Sequence, residues 1–282
     1  MSNQLQHYRR NKEKINEKRR EKYLNTKRNL PTLFVKNEED LNENDRCFAV
    51  AYGDNKDDKE YICVADKSDD NRKIKSYMNV NRDFKQIPVE VNKRDCLYIC
   101  APNQSGKTTY VARYLELYKK RFPNKTIYLF SKLDEDPILD KFEPIRVNIN
   151  KLKLRNNTLD FLKNSLVIFD DVDQILEKEN VKKIQKLINE ILCNGAHYNI
   201  GIIVTNHLLS DYKNTRCILN ECSSITVFPK SGCAHHLEYL LKNYIGFDRN
   251  QINRLKDIDS RWVTIFKNYP QIVLYENGAY LP

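Results

Sequence analysis

The chain has no apolar run approaching the ~20 residues that a membrane-spanning helix needs, so no helical span is expected. Its N-terminus is hydrophilic, which predicts no export signal. It has no C-x-x-C pair, so Cys233 with His235 and His236 is not read as a zinc site. No internal repeat is present, which argues against solenoids and propellers. The eight cysteines, Cys47, Cys63, Cys96, Cys100, Cys193, Cys217, Cys222 and Cys233, fall largely inside predicted strands and helices. They are expected to be reduced, buried, small hydrophobes.

What is present is charge. Of 282 residues, 30% are charged and the net charge is +10. Such a balance suits a polyanionic partner. Much of it sits between Arg9 and Arg28, where bases far outnumber acids and apolar residues are few. That segment reads as a nucleic-acid-binding arm or a solubilising tail, disordered or helical.

The most informative stretch is Ala101-Pro102-Asn103-Gln104-Ser105-Gly106-Lys107-Thr108. It follows the apolar run Cys96–Cys100 and precedes a helical pattern, Thr109 to Arg121, whose apolar face is Val111, Leu115, Tyr118 and Phe122. Strand, tight loop ending Gly-Lys-Thr, then helix is the layout that cradles nucleotide phosphates. Residues Ala101 to Thr109 are the expected nucleotide-binding segment: Ala101, Pro102, Asn103, Gln104, Ser105, Gly106, Lys107, Thr108 and Thr109. Lys107 is expected on the β/γ-phosphates and Thr108 on Mg²⁺. Ala101 stands where the pattern has glycine, which is tolerable where the backbone keeps φ below zero.

A second motif is Ser165-Leu166-Val167-Ile168-Phe169-Asp170-Asp171, an apolar strand ending in two carboxylates. Acids at that end sit where ligands bind in parallel sheets. Asp170 is expected to hold Mg²⁺ with Thr108, and Asp171 to polarise the attacking water. A further strand, Ile200 to Thr205, ends Thr205-Asn206-His207. Thr205 and Asn206 are sensor candidates for the γ-phosphate if this strand lies beside the phosphate loop, while His207 reads as structural. Arg216 is either an arginine finger acting on a neighbouring subunit or a salt-bridge partner of Glu221.

Together APNQSGKT, LVIFDDV, GAHYNIGIIVTNH, TRCILNE followed by ITVFPKSG, and the closing SRWVTIFKNYPQIVLYENGAY resemble the genome-packaging ATPases of large DNA viruses, the poxvirus-type branch of the FtsK–HerA superfamily. The resemblance covers about residues 95–280. It implies a RecA-like P-loop α/β fold, with ATP and Mg²⁺ as cofactors. It implies a homo-oligomeric ring that translocates double-stranded DNA into a preformed capsid, with a capsid or portal-vertex protein as partner. The implied setting is the virion or a viral assembly site in host cytoplasm. By resemblance Lys107, Asp170, Asp171, Asn206 and Arg216 carry catalysis. Relatives carry arginine where this chain has Ala196 between Gly195 and His197. They also often show Asp-Glu where this chain has Asp170-Asp171. The competing readings are another P-loop DNA-dependent ATPase of helicase type, a nucleoside-kinase-like enzyme, or a nucleotide- and DNA-binding scaffold without turnover.

The expected organisation is a basic arm, 1–31; a small β-rich extension, 32–94, with a strand at Ile87 to Val91; and an ATPase domain, 95–282. That last domain is a mostly parallel sheet flanked by helices and closed by a C-terminal β-hairpin, Arg261 to Tyr275. A weak strand is expected at Ile145 to Ile149.

Overall fold

A computed structural model describes residues 17–18, 30–55, 57–65, 74–88, 93–152, 158–175, 177–209, 214–231 and 234–282. The basic arm and Cys233 lie mostly or wholly outside them.

Fully buried apolar strands build the centre. β6 (Cys96–Cys100), β9 (Ser165–Asp170) and β10 (Gly201–Asn206) are buried at every position. Such continuous burial is what a parallel strand covered on both faces requires. With β7 (Thr126–Ser131), β8 (Ile145–Arg146) and β11 (Ser224–Val227) they run parallel in the order β11-β6-β10-β9-β7-β8. The sheet then continues antiparallel beyond β11 through β12 (Val263–Phe266), β13 (Ile272–Tyr275), β14 (Gly278–Tyr280) and β4 (Ser76–Met78). A mostly parallel sheet with helices on its faces, the phosphate-loop strand near its middle, is a P-loop NTPase fold.

Side-chain alternation divides the core in two. Leu97 and Ile99 of β6 face α1 (Lys107–Arg121), through Val111, Tyr114 and Leu115. The same apolar layer takes in Leu33, Ala49 and Ile62 of a four-stranded antiparallel sheet, β1 (Thr32–Asn37), β3 (Lys59–Ala65), β2 (Arg46–Tyr52) and β5 (Asp83–Gln86). Cys96, Tyr98 and Cys100 face the other way. They meet α3 (Lys178–Asn194), which follows the short α2 (Thr158–Phe161), and α4 (Arg216–Glu221), α5 (Ala234–Leu240) and α6 (Arg249–Asp257). α3 buries Ile184, Leu187, Ile188, Ile191 and Leu192, the i, i+3, i+4, i+7 stripe that its sequence shows.

Four features differ from the sequence reading. A strand stands at Asp83–Gln86, where Phe84 and Gln86 are the alternating pair that turns inward; Ile87 and Pro88 follow it outside any strand, and the rest of the strand expected at Ile87 to Val91 lies outside the described residues. β8 stops at Arg146 and a 3-10 turn follows at Ile149–Lys151. The closing hairpin gains a third strand, β14, whose outer edge is paired by β4 from the N-terminal half. Cys47 and Cys63, directly opposite in the β2–β3 register, are disulfide-bonded rather than reduced. Cys96, Cys100 and Cys222 are free and buried, as expected, whereas the free Cys193 is exposed and Cys217 half-buried.

Candidate active site

The strand order puts β10 between β6 and β9, so the three strand ends that carry polar residues are neighbours. The phosphate loop leaves β6 at Ala101, whose N–H donates to the Asn206 carbonyl at 3.2 Å. Ala101 is 2% exposed and does not enter the left-handed region, so its methyl group is accommodated without backbone strain. Gln104 and Gly106 do enter it, at φ 61 and φ 102. Those two residues curl the loop back onto the first turn of α1. There the leading N–H groups have no partner inside the helix and point to the loop's hollow. Pro102, Asn103, Gln104 and Thr109 are exposed, and Ser105 and Thr108 are half-buried.

Lys107 is the first residue of α1 and only 6% exposed. Its ammonium donates to the carbonyls of Ala101 at 2.9 Å and Pro102 at 3.4 Å, and stands 3.5 Å from Asp171 Oδ1. The two sequence motifs therefore meet through a lysine–aspartate ion pair.

Asp170 closes β9, buried at 5% exposure. Its Oδ1 accepts from the Thr205 hydroxyl at 3.0 Å, and its Oδ2 from the Ser131 hydroxyl at 3.5 Å. Burial pushes its carboxyl above the ordinary range, and the neighbouring charge of Asp171 adds to this. Asp171 takes the left-handed conformation, φ 46 and ψ 39. This turns its side chain off the strand line toward Lys107. Its N–H donates to Thr205 Oγ1 at 2.8 Å, and the same hydroxyl lies 3.1 Å from Asp171 Oδ1. Thr205 thus sits between both acids, on the strand whose position beside the loop the sensor reading required.

Asn206 turns the other way, as alternation along a strand demands. Its amide nitrogen donates to the Tyr98 hydroxyl at 3.4 Å, and its oxygen is buried without a partner. The sequence placed it near the γ-phosphate; its side chain instead enters the layer beneath α3 and α4. Arg216 is the exposed first residue of α4.

Sequence reasoning missed three contributors. Ser131 ends β7 beside Asp170. Asp173, in the 3-10 turn Val172–Gln174 after β9, receives the His207 backbone N–H at 2.8 Å. His207 itself lies 3.3 Å from Asp171 and bonds Asn103 of the phosphate loop. Only the polar string Thr205-Asn206-His207 at a strand end signalled it. The donors around Asp170 are oxygens, and a buried carboxylate with its proton affinity raised is short of positive charge. That chemistry fits a hard divalent cation such as Mg²⁺.

No protein-family model matches the chain. It is 44% identical over 188 residues to the uncharacterized protein V3 of Sputnik virophage, spanning 66% of this chain and 76% of that one. Among solved structures it is similar to B204, the DNA-packaging ATPase of Sulfolobus turreted icosahedral virus. The identity is 17% and the TM-score 0.48, over 66% of this chain and 98% of that chain. The genome-packaging NTPase B204 of Sulfolobus turreted icosahedral virus 2, in complex with ATP-gammaS, is 13% identical with a TM-score of 0.46, over 65% and 97%.

Proposed function

We propose that this chain, which belongs to the family of the Sputnik virophage protein V3, is an ATP-hydrolysing motor that moves double-stranded DNA into a preformed viral capsid. The observation that carries the hydrolytic part is the meeting of Lys107, Asp170, Asp171 and Thr205 at the mouth of the phosphate loop. A loop with left-handed residues, a helix N-terminus and a buried lysine recognises a polyphosphate. Two carboxylates at the end of the next strand but one supply the remaining chemistry.

In this reading ATP replaces the loop carbonyls as the acceptor for Lys107. Residues Ala101 to Thr109 wrap the phosphates through their N–H groups. Thr108 and Asp170 would hold Mg²⁺, which would neutralise charge on the β- and γ-phosphate oxygens. Asp171 accepts a proton from water as the water oxygen bonds to the γ-phosphorus and the bond to the β,γ-bridging oxygen breaks, giving ADP and phosphate. Thr205 orients both carboxylates. Arg216, exposed at the start of α4, serves a neighbouring subunit's site in a homo-oligomeric ring. Asn206 is retained as a sensor acting through the layer beneath α3 rather than by direct reach.

DNA supplies the large anion that the net charge of +10 favours. Contacts to phosphates would make binding independent of sequence and steeply salt-dependent. The resemblance of the motif string to the poxvirus-type branch of the FtsK–HerA superfamily supports this reading, in which the chain works with a capsid or portal-vertex partner at a viral assembly site. The basic arm, 1–31, and the β-rich extension, 32–94, flank the motor domain, 95–282, on its N-terminal side.

The test is ATP hydrolysis with and without duplex DNA, paired with displacement of a triplex-forming strand from that duplex. Stimulation by DNA together with displacement supports the motor. Hydrolysis with strand separation points to a helicase, and nucleotide binding without turnover to a scaffold.

A further inference from the structure

His207 belongs to neither sequence motif, yet it touches both. Asp173 holds it at two points: the His207 backbone N–H donates to Asp173 Oδ2 at 2.8 Å, and ring Nδ1 lies 3.2 Å from Asp173 Oδ1. The opposite ring nitrogen, Nε2, lies 3.3 Å from Asp171 Oδ2 and also bonds Asn103 Oδ1 in the phosphate loop. The side chain is 13% exposed. Backbone and ring are both fixed, so the ring has one orientation.

Asp171 needs such a partner. Thr205 and Lys107 engage its Oδ1 only. Left there, the carboxylate can rotate about its own bond, and the Asp171 side chain is one-third exposed. The His207 Nε2 atom stands 3.3 Å from the second oxygen, Oδ2. With one oxygen held from β10 and the other from the residue just past β10, the plane of the carboxylate is set. The order Asp173, His207, Asp171 repeats the logic of an activated base oriented by a third group.

Asp171, Asp173 and His207 also offer metal-ligating atoms within 4.8 Å of one another. The two ring nitrogens point in opposite directions, one at each carboxylate. The two carboxylates bracket the imidazole rather than converge with it on a shared ion.

We propose that His207, clamped by Asp173, is a positioning residue for hydrolysis: it sets the Asp171 carboxylate toward the attacking water and couples it to phosphate-loop residue Asn103. This rests on the ATPase reading above. A misplaced base costs rate without weakening nucleotide binding, by about 10- to 100-fold for a shift near an ångström.

The experiment is steady-state ATP hydrolysis by the full chain with duplex DNA, for wild type, Lys107→Ala, His207→Ala, His207→Gln, Asp173→Ala and the double variant His207→Ala with Asp173→Ala. The His207→Ala variant is expected to lose about 10- to 100-fold in kcat, with KM for ATP changed by no more than about twofold. His207→Gln, whose amide nitrogen reaches the place of Nε2, is expected to recover most of that loss. Asp173→Ala is expected to resemble His207→Ala, and the double variant to be no worse than either. Wild-type kcat in His207→Ala, with Lys107→Ala inactive, overturns the inference and leaves the ATPase reading standing. Equal losses in the Ala and Gln variants accompanied by a raised KM also overturn it. Wild-type turnover in Lys107→Ala, or no turnover in wild type, overturns both.

Discussion

The Thr205 hydroxyl lies 3.0 Å from Oδ1 of Asp170, tying the end of β10 to the buried acid that ends β9. It is also the acceptor for the Asp171 N–H. One side chain with no exposed surface thereby organises two adjacent carboxylates from the next strand.

Replacing it with a side chain of the same shape isolates the hydroxyl. Thr205→Val leaves the buried Asp170 carboxylate and the half-buried Asp171 N–H without this partner, which costs about 1–3 kcal/mol. Urea unfolding should show that loss, and ATP hydrolysis should fall with it. Thr205→Ser retains the hydroxyl and should recover both. Equal urea midpoints for wild type and Thr205→Val would show that the hydroxyl holds nothing.

Asp170 predicts a pH dependence. Burial and the Asp171 charge raise its carboxyl in the folded state above the ordinary 3.8. Between the unfolded and folded values the native chain binds more protons than the unfolded chain. Stability from this group therefore falls as pH rises through that window, and the penalty is fully present above it. In Asp170→Asn this downward component disappears. Chemical denaturation of the nucleotide-free protein across mildly acidic to neutral pH should find the variant at least as stable as wild type at neutral pH, yet inactive. A variant clearly less stable at neutral pH would contradict the assignment of Asp170 as an under-compensated buried charge.

Gly106 carries the loop's sharpest turn, at φ 102. A methyl group would find room, with Phe228 at an ordinary 3.6 Å. The cost of Gly106→Ala is conformational and of order 1–3 kcal/mol. It should appear as a lower melting temperature together with weaker ATP binding, because relief of that strain uncurls the loop. Unchanged ATP affinity in a destabilised variant would separate the loop's shape from anion recognition.

Much of this was legible in the sequence where the signal is local. The loop Ala101 to Thr108 could be read because few residues permit a left-handed bend before a helix. β6, β9 and β10 could be read because burial on both faces demands unbroken apolar runs. The opposite orientations of Thr205 and Asn206 follow from strand alternation, yet choosing between them needed the layer each faces. Pairings between distant segments left no local trace. β4 joins β14 across two hundred residues of chain, and the Cys47–Cys63 bond depends on the β2–β3 register. His207 was invisible as a working residue for the same reason. Asn103, Asp171 and Asp173 reach it only once β6, β10 and β9 lie side by side.

The most direct measurement compares ATP binding and ATP turnover in wild type, Lys107→Ala and Asp171→Asn. Wild type should bind and hydrolyse, Lys107→Ala should lose binding, and Asp171→Asn should bind with near-normal affinity but turn over at least about 100-fold more slowly. Turnover by Asp171→Asn at the wild-type rate would contradict the site described here.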